Sequence, residues 1–313
     1  MLSKYAPVFI PTLNRDIHFK RCVESLAKCT HVEKTDLFIA LDYPAKEEHW
    51  EGYRKIERYI QSIKGFKSVN VIKRSINFGA EKNFLEGVKE IYELYDRVII
   101  TEDDNEFSPN FLDYINKGLN KFEDDENVLA ICGYNYPIKM PETYKYNYYY
   151  HKSFSAWGWG SWRDKNLKLL YSPEKILKTI KNRKFIFESI KYYGISKMLI
   201  YLDAIKQDKP KYGDGAVTIT ELKDNKYCVF PTISKVKNIG HDGSGVHCGV
   251  NDIYHKQKID EQKYFDFDEQ AVPLCNKEIR NKLKYFFNYS FITVVKYLIK
   301  NMFFYLKIFL KNN

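Results

Sequence analysis

No C-x-x-C pair occurs among the six cysteines, which are scattered at positions 22, 29, 132, 228, 248 and 275. That spacing excludes the usual zinc and disulfide frameworks and points to reduced thiols in a cytosolic protein. The first residues, Met1-Leu2-Ser3-Lys4-Tyr5-Ala6-Pro7, lack the apolar stretch of a signal peptide. No apolar run approaches the ~20 residues that a membrane span requires. None of the common nucleic-acid recognition motifs is present, so no nucleic-acid partner is expected. Internal repeats and long linkers are also missing.

What is present is a chain of 313 residues with 44% hydrophobic content, enough for one large α/β domain with elaborations or two smaller domains. Its formal net charge of +10 favours phosphorylated substrates, anionic lipid or nucleic acid, and does not separate them.

The most informative segment is Arg97-Val98-Ile99-Ile100-Thr101-Glu102-Asp103-Asp104-Asn105-Glu106. Its β-branched residues suit a buried strand that runs into three consecutive carboxylates. If the strand continues through Asp104, Glu102 and Asp104 share one face and Asp103 takes the other. Like charges at a buried strand end repel and lose hydration. A hard divalent cation, Mg²⁺ or Mn²⁺, would compensate them. An acidic turn in water is the plainer alternative.

Strand and helix patterns alternate along the first 135 residues. Strands are predicted over 6–13, 36–42, 68–73, 97–104 and 127–132, with helices over 17–28, 50–64, 79–95 and 110–121. This alternation predicts an α/β fold with a mostly parallel sheet covered on both faces. Ligands of such sheets bind beyond the carboxyl ends of the strands. Those ends carry Thr12, Asn14 and Arg15, then Asp42, then Arg74 and Asn77, then the acidic triplet. After residue 135 the chain becomes tyrosine-rich, then basic and helical over 175–205, then glycine-rich from 238 to 248.

The order of these residues resembles the GT-A-fold, nucleotide-sugar-dependent glycosyltransferases, particularly bacterial family-2-like enzymes. Pro7-Val8-Phe9-Ile10-Pro11-Thr12-Leu13-Asn14-Arg15 is similar to the first strand and nucleotide loop of that family. The resemblance therefore implies donor contacts from Pro11, Thr12, Asn14 and Arg15. Asp42 stands where the family's second strand commonly supplies a carboxylate to the nucleobase. Asn77-Phe78-Gly79-Ala80-Glu81-Lys82-Asn83 resembles an N-x-G-x-x-x-N element, with Lys82 in place of a common arginine. Glu102-Asp103-Asp104 resembles the D-x-D metal motif, closest to the E-D-D form of N-acetylglucosaminyltransferases, followed by Phe107, Pro109 and Phe111. Asp104 is then a metal ligand, with Glu102 and Asp103 on the donor side. The implied cofactor is Mn²⁺ or Mg²⁺, and the implied donor is a nucleotide-diphosphate sugar.

Such a transfer must stabilise a departing diphosphate, which a metal clamp does. Inversion also needs a base to take the acceptor's hydroxyl proton. Downstream carboxylates at Asp203, Asp208, Asp214 and Glu221 are candidates. Asp214 is preferred because Gly213 and Gly215 flank it and allow close approach. It also reads as the N-cap of a helix over 216–222, a role compatible with that of base. Trp157 and Trp159, in the run Trp157-Gly158-Trp159-Gly160-Ser161-Trp162, are an acceptor platform or ordinary core. His241 and His247 bracket the glycine-rich loop, and His247 is the candidate to complete the metal shell.

The C-terminal stretch 291–313 spaces Lys296, Lys300, Lys307 and Lys311 on one stripe amid Phe, Ile, Leu, Val and Tyr. A basic amphipathic helix on an anionic membrane surface fits this pattern, and docking on the protein or on a second copy is the alternative. The sequence thus divides into a nucleotide-sugar-binding half (1–135), an acceptor and catalytic half of the same domain (136–280) and a terminal helix (281–313). The expected activity is glycosyl transfer to a glycan or lipid-linked acceptor in bacterial surface polysaccharide synthesis, in the cytoplasm at the inner face of the membrane. A homo-oligomer is compatible with this reading. A sugar-nucleotide nucleotidyltransferase would show a Gly-rich loop after the first strand, and Pro11-Thr12-Leu13-Asn14-Arg15 has no glycine. A non-enzymatic membrane or glycan binder has no need of carboxylates at several strand ends.

Overall fold

Runs such as Leu37-Phe38-Ile39-Ala40-Leu41 are apolar on both faces, so they must be buried from both sides. The computed structural model, which describes residues 5–169, 173–207, 214–243 and 252–310, meets that demand with a layered α/β architecture. Its strands are β1 (Val8–Thr12), β2 (Asp36–Leu41), β3 (Ser68–Lys73), β4 (Arg97–Ile100), β5 (Asn105–Phe107), β6 (Val128–Cys132), β7 (Tyr148–His151), β8 (Trp159–Trp162), β9 (Tyr227–Pro231) and β10 (Val236–Asn238). Eight of them form one sheet in the order β3-β2-β1-β4-β8-β6-β9-β7, and β5 pairs with β10. The pairings β1–β2, β2–β3, β1–β4 and β6–β9 are parallel, while β8 runs antiparallel to both β4 and β6, and β7 antiparallel to β9.

Side-chain alternation divides the core in two. Val8, Ile10, Leu37, Ile39 and Ile99 face helices Asp16–Leu26 and Trp50–Ile60. Phe9, Phe38, Ala40, Val98 and Ile100 face helix Ala80–Tyr92. The helices present Phe19, Cys22, Val23 and Leu26 on one side, and Val88, Ile91 and Tyr92 on the other, at the i, i+3, i+4 spacing their sequences carry.

One expectation needs correction. The strand does not run through the acidic triplet: β4 ends at Ile100 and residues 101–104 turn before β5 begins. Asn105 Nδ2 closes this turn on Thr101 Oγ1 at 2.9 Å, and β5 is held by β10 rather than by the main sheet. Strict alternation of Glu102, Asp103 and Asp104 therefore does not apply, and each carboxylate takes its own direction.

The irregular chain after residue 256 is stapled across the first half. Lys235, 1% exposed, pairs with Asp260, which also accepts from Asn110 Nδ2 at 2.9 Å. Phe265 N–H donates to Asp113 Oδ2 at 2.7 Å, and the Phe265 and Phe267 rings pack on Tyr114. Replacing Lys235 with methionine leaves Asp260 buried without its counter-charge. It is expected to cost about 3–5 kcal/mol of stability, the range for breaking a buried ion pair. Urea denaturation reads this directly, and adding Asp260→Asn to the same variant is expected to recover part of the loss.

Helix Phe291–Leu310 packs on helix Ile195–Lys206: Val294 is buried among Ile186, Met198, Leu199 and Leu202, and Lys206 Nζ donates to Asn301 Oδ1 at 2.7 Å. Its inner side is thus docked on the protein, and Lys296 and Lys300 lie on the exposed side. Among the described residues, no helix is long and apolar enough to cross a membrane.

Candidate active site

The carboxyl ends of β1, β2, β3 and β4 open on one edge of the sheet, and the polar residues that follow them line a cleft there. Arg15, just past β1, sends Nη1 to Asp104 Oδ2 at 2.6 Å and lies 3.7 Å from Asp103 Oδ1. Thr12 Oγ1 donates to Asp103 Oδ2 at 2.7 Å. Asn238, at the end of β10, donates Nδ2 to Asp104 Oδ1 at 2.8 Å. The adjoining Gly240 allows this approach: a Cβ there would sit 1.9 Å from Asp104 Oδ2. The next residue but one, Asp242, reaches back to His18 Nε2 at 3.0 Å, so the loop after β10 clasps helix Asp16–Leu26.

The Glu102 carbonyl accepts from Thr101 Oγ1 at 3.1 Å, while its carboxylate accepts no hydrogen bond among the described residues. That side chain is open to solvent yet surrounded by protein. Restricted hydration and the charges of Asp104, Asp214 and Asp103 push its carboxyl up to about 8. Burial and the Asp104 charge push Asp103 up to about 6, against the pull of Thr12 and Arg15.

Asp214 opens helix Asp214–Lys223 on the other side of the cleft. It shares Glu102's electrostatic neighbourhood although 112 positions separate them in the sequence. Asp214 is open to solvent yet surrounded by protein; restricted hydration raises its carboxyl to about 6, while Lys197 and the Ala156 backbone N–H draw it down. Of its rivals, Glu221 is fully buried beside Cys228, Asp203 is half-buried on helix Ile195–Lys206, and Asp208 lies outside the described residues.

The other sequence candidates fall into place around this centre. Pro11 and Asn14 are half-buried at the end of β1 and the turn after it, where Asn14's carbonyl lies against Gly52. Asp42 is buried and accepts from the backbone N–H groups of Tyr43, Phe78 and Gly79 at 2.8–2.9 Å and from Asn77 Nδ2 at 3.3 Å. It fixes the loop that enters helix Ala80–Tyr92, where Gly79 adopts φ +75°. Lys82 is exposed and lies over the Phe78 ring, 4.3 Å from its centroid. The two tryptophans separate. Trp157 lines the cleft region in edge contact with Tyr134, His241 and Tyr254. Trp159 is a β8 core residue, 4% exposed against Phe154, so packing accounts for it and no sugar reaches its face. His247 lies outside the described residues.

Among the described residues, no three histidine, cysteine or carboxylate groups converge as a ready-made cage. The chemistry of the pieces nevertheless suits a hard cation, which often takes one or two carboxylates and completes its shell with water and substrate phosphates. Among the described residues, the Glu102 carboxylate has no hydrogen-bond donor, and His241 Nε2 is shut off from solvent with no hydrogen-bond partner. Carboxylates must lose their protons to bind a metal. Because Asp103 and Glu102 ionise only near pH 6 and pH 8, Mn²⁺ affinity is expected to rise between pH 6 and 8. Isothermal titration across that range checks the sign, and a flat or falling affinity would separate these carboxyls from the metal.

The profile of glycosyl transferase family 2 matches residues 8–192, more than half of the chain. The chain belongs to this family. Its α/β architecture, with a large, mostly parallel sheet flanked by helices, is that of a GT-A fold. Among solved structures, a mannosyltransferase from Pyrobaculum calidifontis, PcManGT, in complex with GDP-Man and Mn²⁺, shares 10% identity over 71% of this chain and 70% of its own, with a TM-score of 0.40. TarS of S. aureus shares 16% identity over 44% of this chain and 23% of its own, with a TM-score of 0.31. A TarS chain of residues 1–349 shares 15% over 55% and 51%, at 0.35. This chain thus spans less than a quarter of the longer TarS chain and about half of the shorter one. No curated protein matches the sequence.

Sequence reasoning missed several residues. Asn238 and Gly240 shape the Asp104 site from a distant strand, and only their place in a glycine-rich stretch hinted at it. Lys197 and Tyr136, which lie within electrostatic reach of Asp214, come from a basic helix and a tyrosine-rich loop that carry no local motif.

Proposed function

We propose that this family-2 protein is a metal-assisted, inverting glycosyltransferase. It moves a hexosyl or N-acetylhexosaminyl group from a nucleotide-diphosphate sugar to a glycan or lipid-linked acceptor of a bacterial surface polysaccharide. The observation that carries the reading is the meeting of the acidic turn and Asp214 in one cleft, close enough for Glu102 to feel the Asp214 charge. A donor's diphosphate and an acceptor's hydroxyl must lie on opposite sides of the reacting carbon, and these two groups flank such a space.

In this reading Asp104, with Glu102 beside it in the acidic turn, would hold a divalent cation whose shell water and the donor's phosphates complete; the ion would supply positive charge for the departing diphosphate. Arg15 adds a fixed positive charge at the same edge and orients Asp104. Thr12 orients Asp103. The Asp42-anchored loop, with Asn77 and Lys82, forms the outer wall on the nucleotide side. Asp214 takes the acceptor's hydroxyl proton at its carboxylate. Trp157 presents an aromatic edge to the acceptor. The enzyme works at the inner face of the cell membrane, brought there by its C-terminal region.

A screen of purified protein against nucleotide sugars, with and without Mn²⁺, tests the proposal. Selective, metal-dependent release of nucleoside diphosphate from one donor is expected. Release of pyrophosphate from a nucleoside triphosphate and a sugar phosphate would identify a nucleotidyltransferase instead.

A further inference from the structure

Over residues 291–302, docking of helix Phe291–Leu310 on the protein leaves the opposite side uncovered, and that side mixes lysines with apolar residues. Phe291 is 82% exposed, Ile292 65% and Ile299 69%; Tyr285, at the end of helix Lys277–Phe287, is 87% exposed. Tyr289 joins them in the connecting turn. Five apolar or aromatic side chains in water would be costly at roughly 25 cal/mol per Å² of apolar surface. Exposed aromatic residues in such numbers mark an interaction surface.

The charges beside them identify the occupant. From Lys277 onward the sequence holds eight basic residues and one acidic residue, Glu278. Lys296 and Lys300 are exposed on the same helix as Phe291, Ile292 and Ile299. A second copy of the chain would bring two strongly basic faces together, which like-charge repulsion disfavours. An anionic bilayer satisfies both features: lysines meet the headgroups, and tyrosine and phenylalanine rings enter the interfacial region.

The face also leads to the cleft. Phe287, partly exposed at its inner margin, packs edge-on against Tyr136 with centroids 4.7 Å apart, and Tyr136 lies within electrostatic reach of Asp214.

We propose that the protein docks on an anionic membrane through a preformed face made by Tyr285, Tyr289 and the outward side of helix Phe291–Leu310, placing the acceptor side of the cleft next to the lipid headgroups. This rests on the membrane placement proposed above and gives it a specific surface. The helix is already folded against Ile195–Lys206, so binding adds no helix, unlike a tail that folds on lipid.

Co-sedimentation of the full chain with vesicles of phosphatidylglycerol and phosphatidylcholine, against pure phosphatidylcholine, tests this. Wild type is expected to bind the anionic vesicles, with unchanged far-ultraviolet helix content. The triple variant Tyr285→Ser/Phe291→Ser/Ile292→Ser is expected to bind at least tenfold more weakly, with its melting temperature and donor hydrolysis preserved. Lys296→Gln/Lys300→Gln, a variant with the apolar face intact, is expected to lose its preference for anionic lipid. If wild type ignores anionic vesicles, both the face and the membrane placement fall. If wild type binds and the triple variant binds equally well, the face is wrong and the membrane placement stands. A large gain of helix on binding overturns the preformed face, as does a wild-type dimer that the triple substitution dissolves.

Discussion

Asp104→Asn is expected to cut metal-dependent sugar transfer about a thousandfold with the fold intact. A Lewis-acid clamp on a developing diphosphate contributes several kcal/mol to the transition state, and each ~1.4 kcal/mol is tenfold in rate. Asparagine keeps the shape of the side chain and one acceptor oxygen, but it removes the charge that Arg15 now pairs with at 2.6 Å. Loss of that pair exposes little stability, because neighbouring Asn238 and the Ile239 N–H still hold the turn. Steady-state assays over a Mn²⁺ series, with circular dichroism as the fold control, measure the effect. A folded variant with wild-type rate and wild-type Mn²⁺ dependence removes Asp104 from the metal site.

Asp214→Asn is expected to lower kcat by ~10²–10⁴-fold, the range for losing a general base, with little change in donor binding. The pH profile gives an independent sign. A base works as its anion, and restricted hydration holds Asp214 near 6, so the wild-type rate is expected to climb through about pH 6 on its acid limb. Lys197 helps keep that carboxylate ionised, and removing its charge should move the limb to higher pH. Should donor affinity collapse in Asp214→Asn while kcat survives, the residue binds substrate or caps its helix, and Asp203 becomes the residue to change next.

Much of the fold was legible because local patterns and global packing agree in the first 132 residues. The strand at Ser68–Lys73 falls where the apolar alternation places it, and helix Trp50–Ile60 starts at the residue its periodicity marks. The acidic turn was misread in detail because Thr101 extends a β-branched run, and nothing local announces that Asn105 will fold back on it. In the candidate site, the polar residues of the first half lie where the sequence places them, each following a strand in chain order. From the later chain, the sequence marked Asp214 and Trp157. Asn238, Gly240, Lys197 and Tyr136 reach the cleft through contacts between segments far apart in sequence, which periodicity cannot display. Trp159 suited either an acceptor platform or the core, and only tertiary packing decides: it faces Phe154, and the neighbouring Gly160 is small because Ile115 occupies the space beside it.

The position of β8 has a consequence for how the protein comes into being. It is the wedge between β4 and β6, though it follows both in the chain. A nascent chain that has emerged as far as residue 135 therefore holds β1 to β4 with one long side of β4 bare, its backbone donors and acceptors unmatched. It also holds β6 with no neighbour at all in the sheet, since β8 and β9 are its two partners. Bare strand edges recruit other strands, so the ribosome-bound intermediate is the species most open to wrong pairing. Both gaps close together when Trp159–Trp162 takes its place antiparallel between β4 and β6, joining the two stretches of sheet into one.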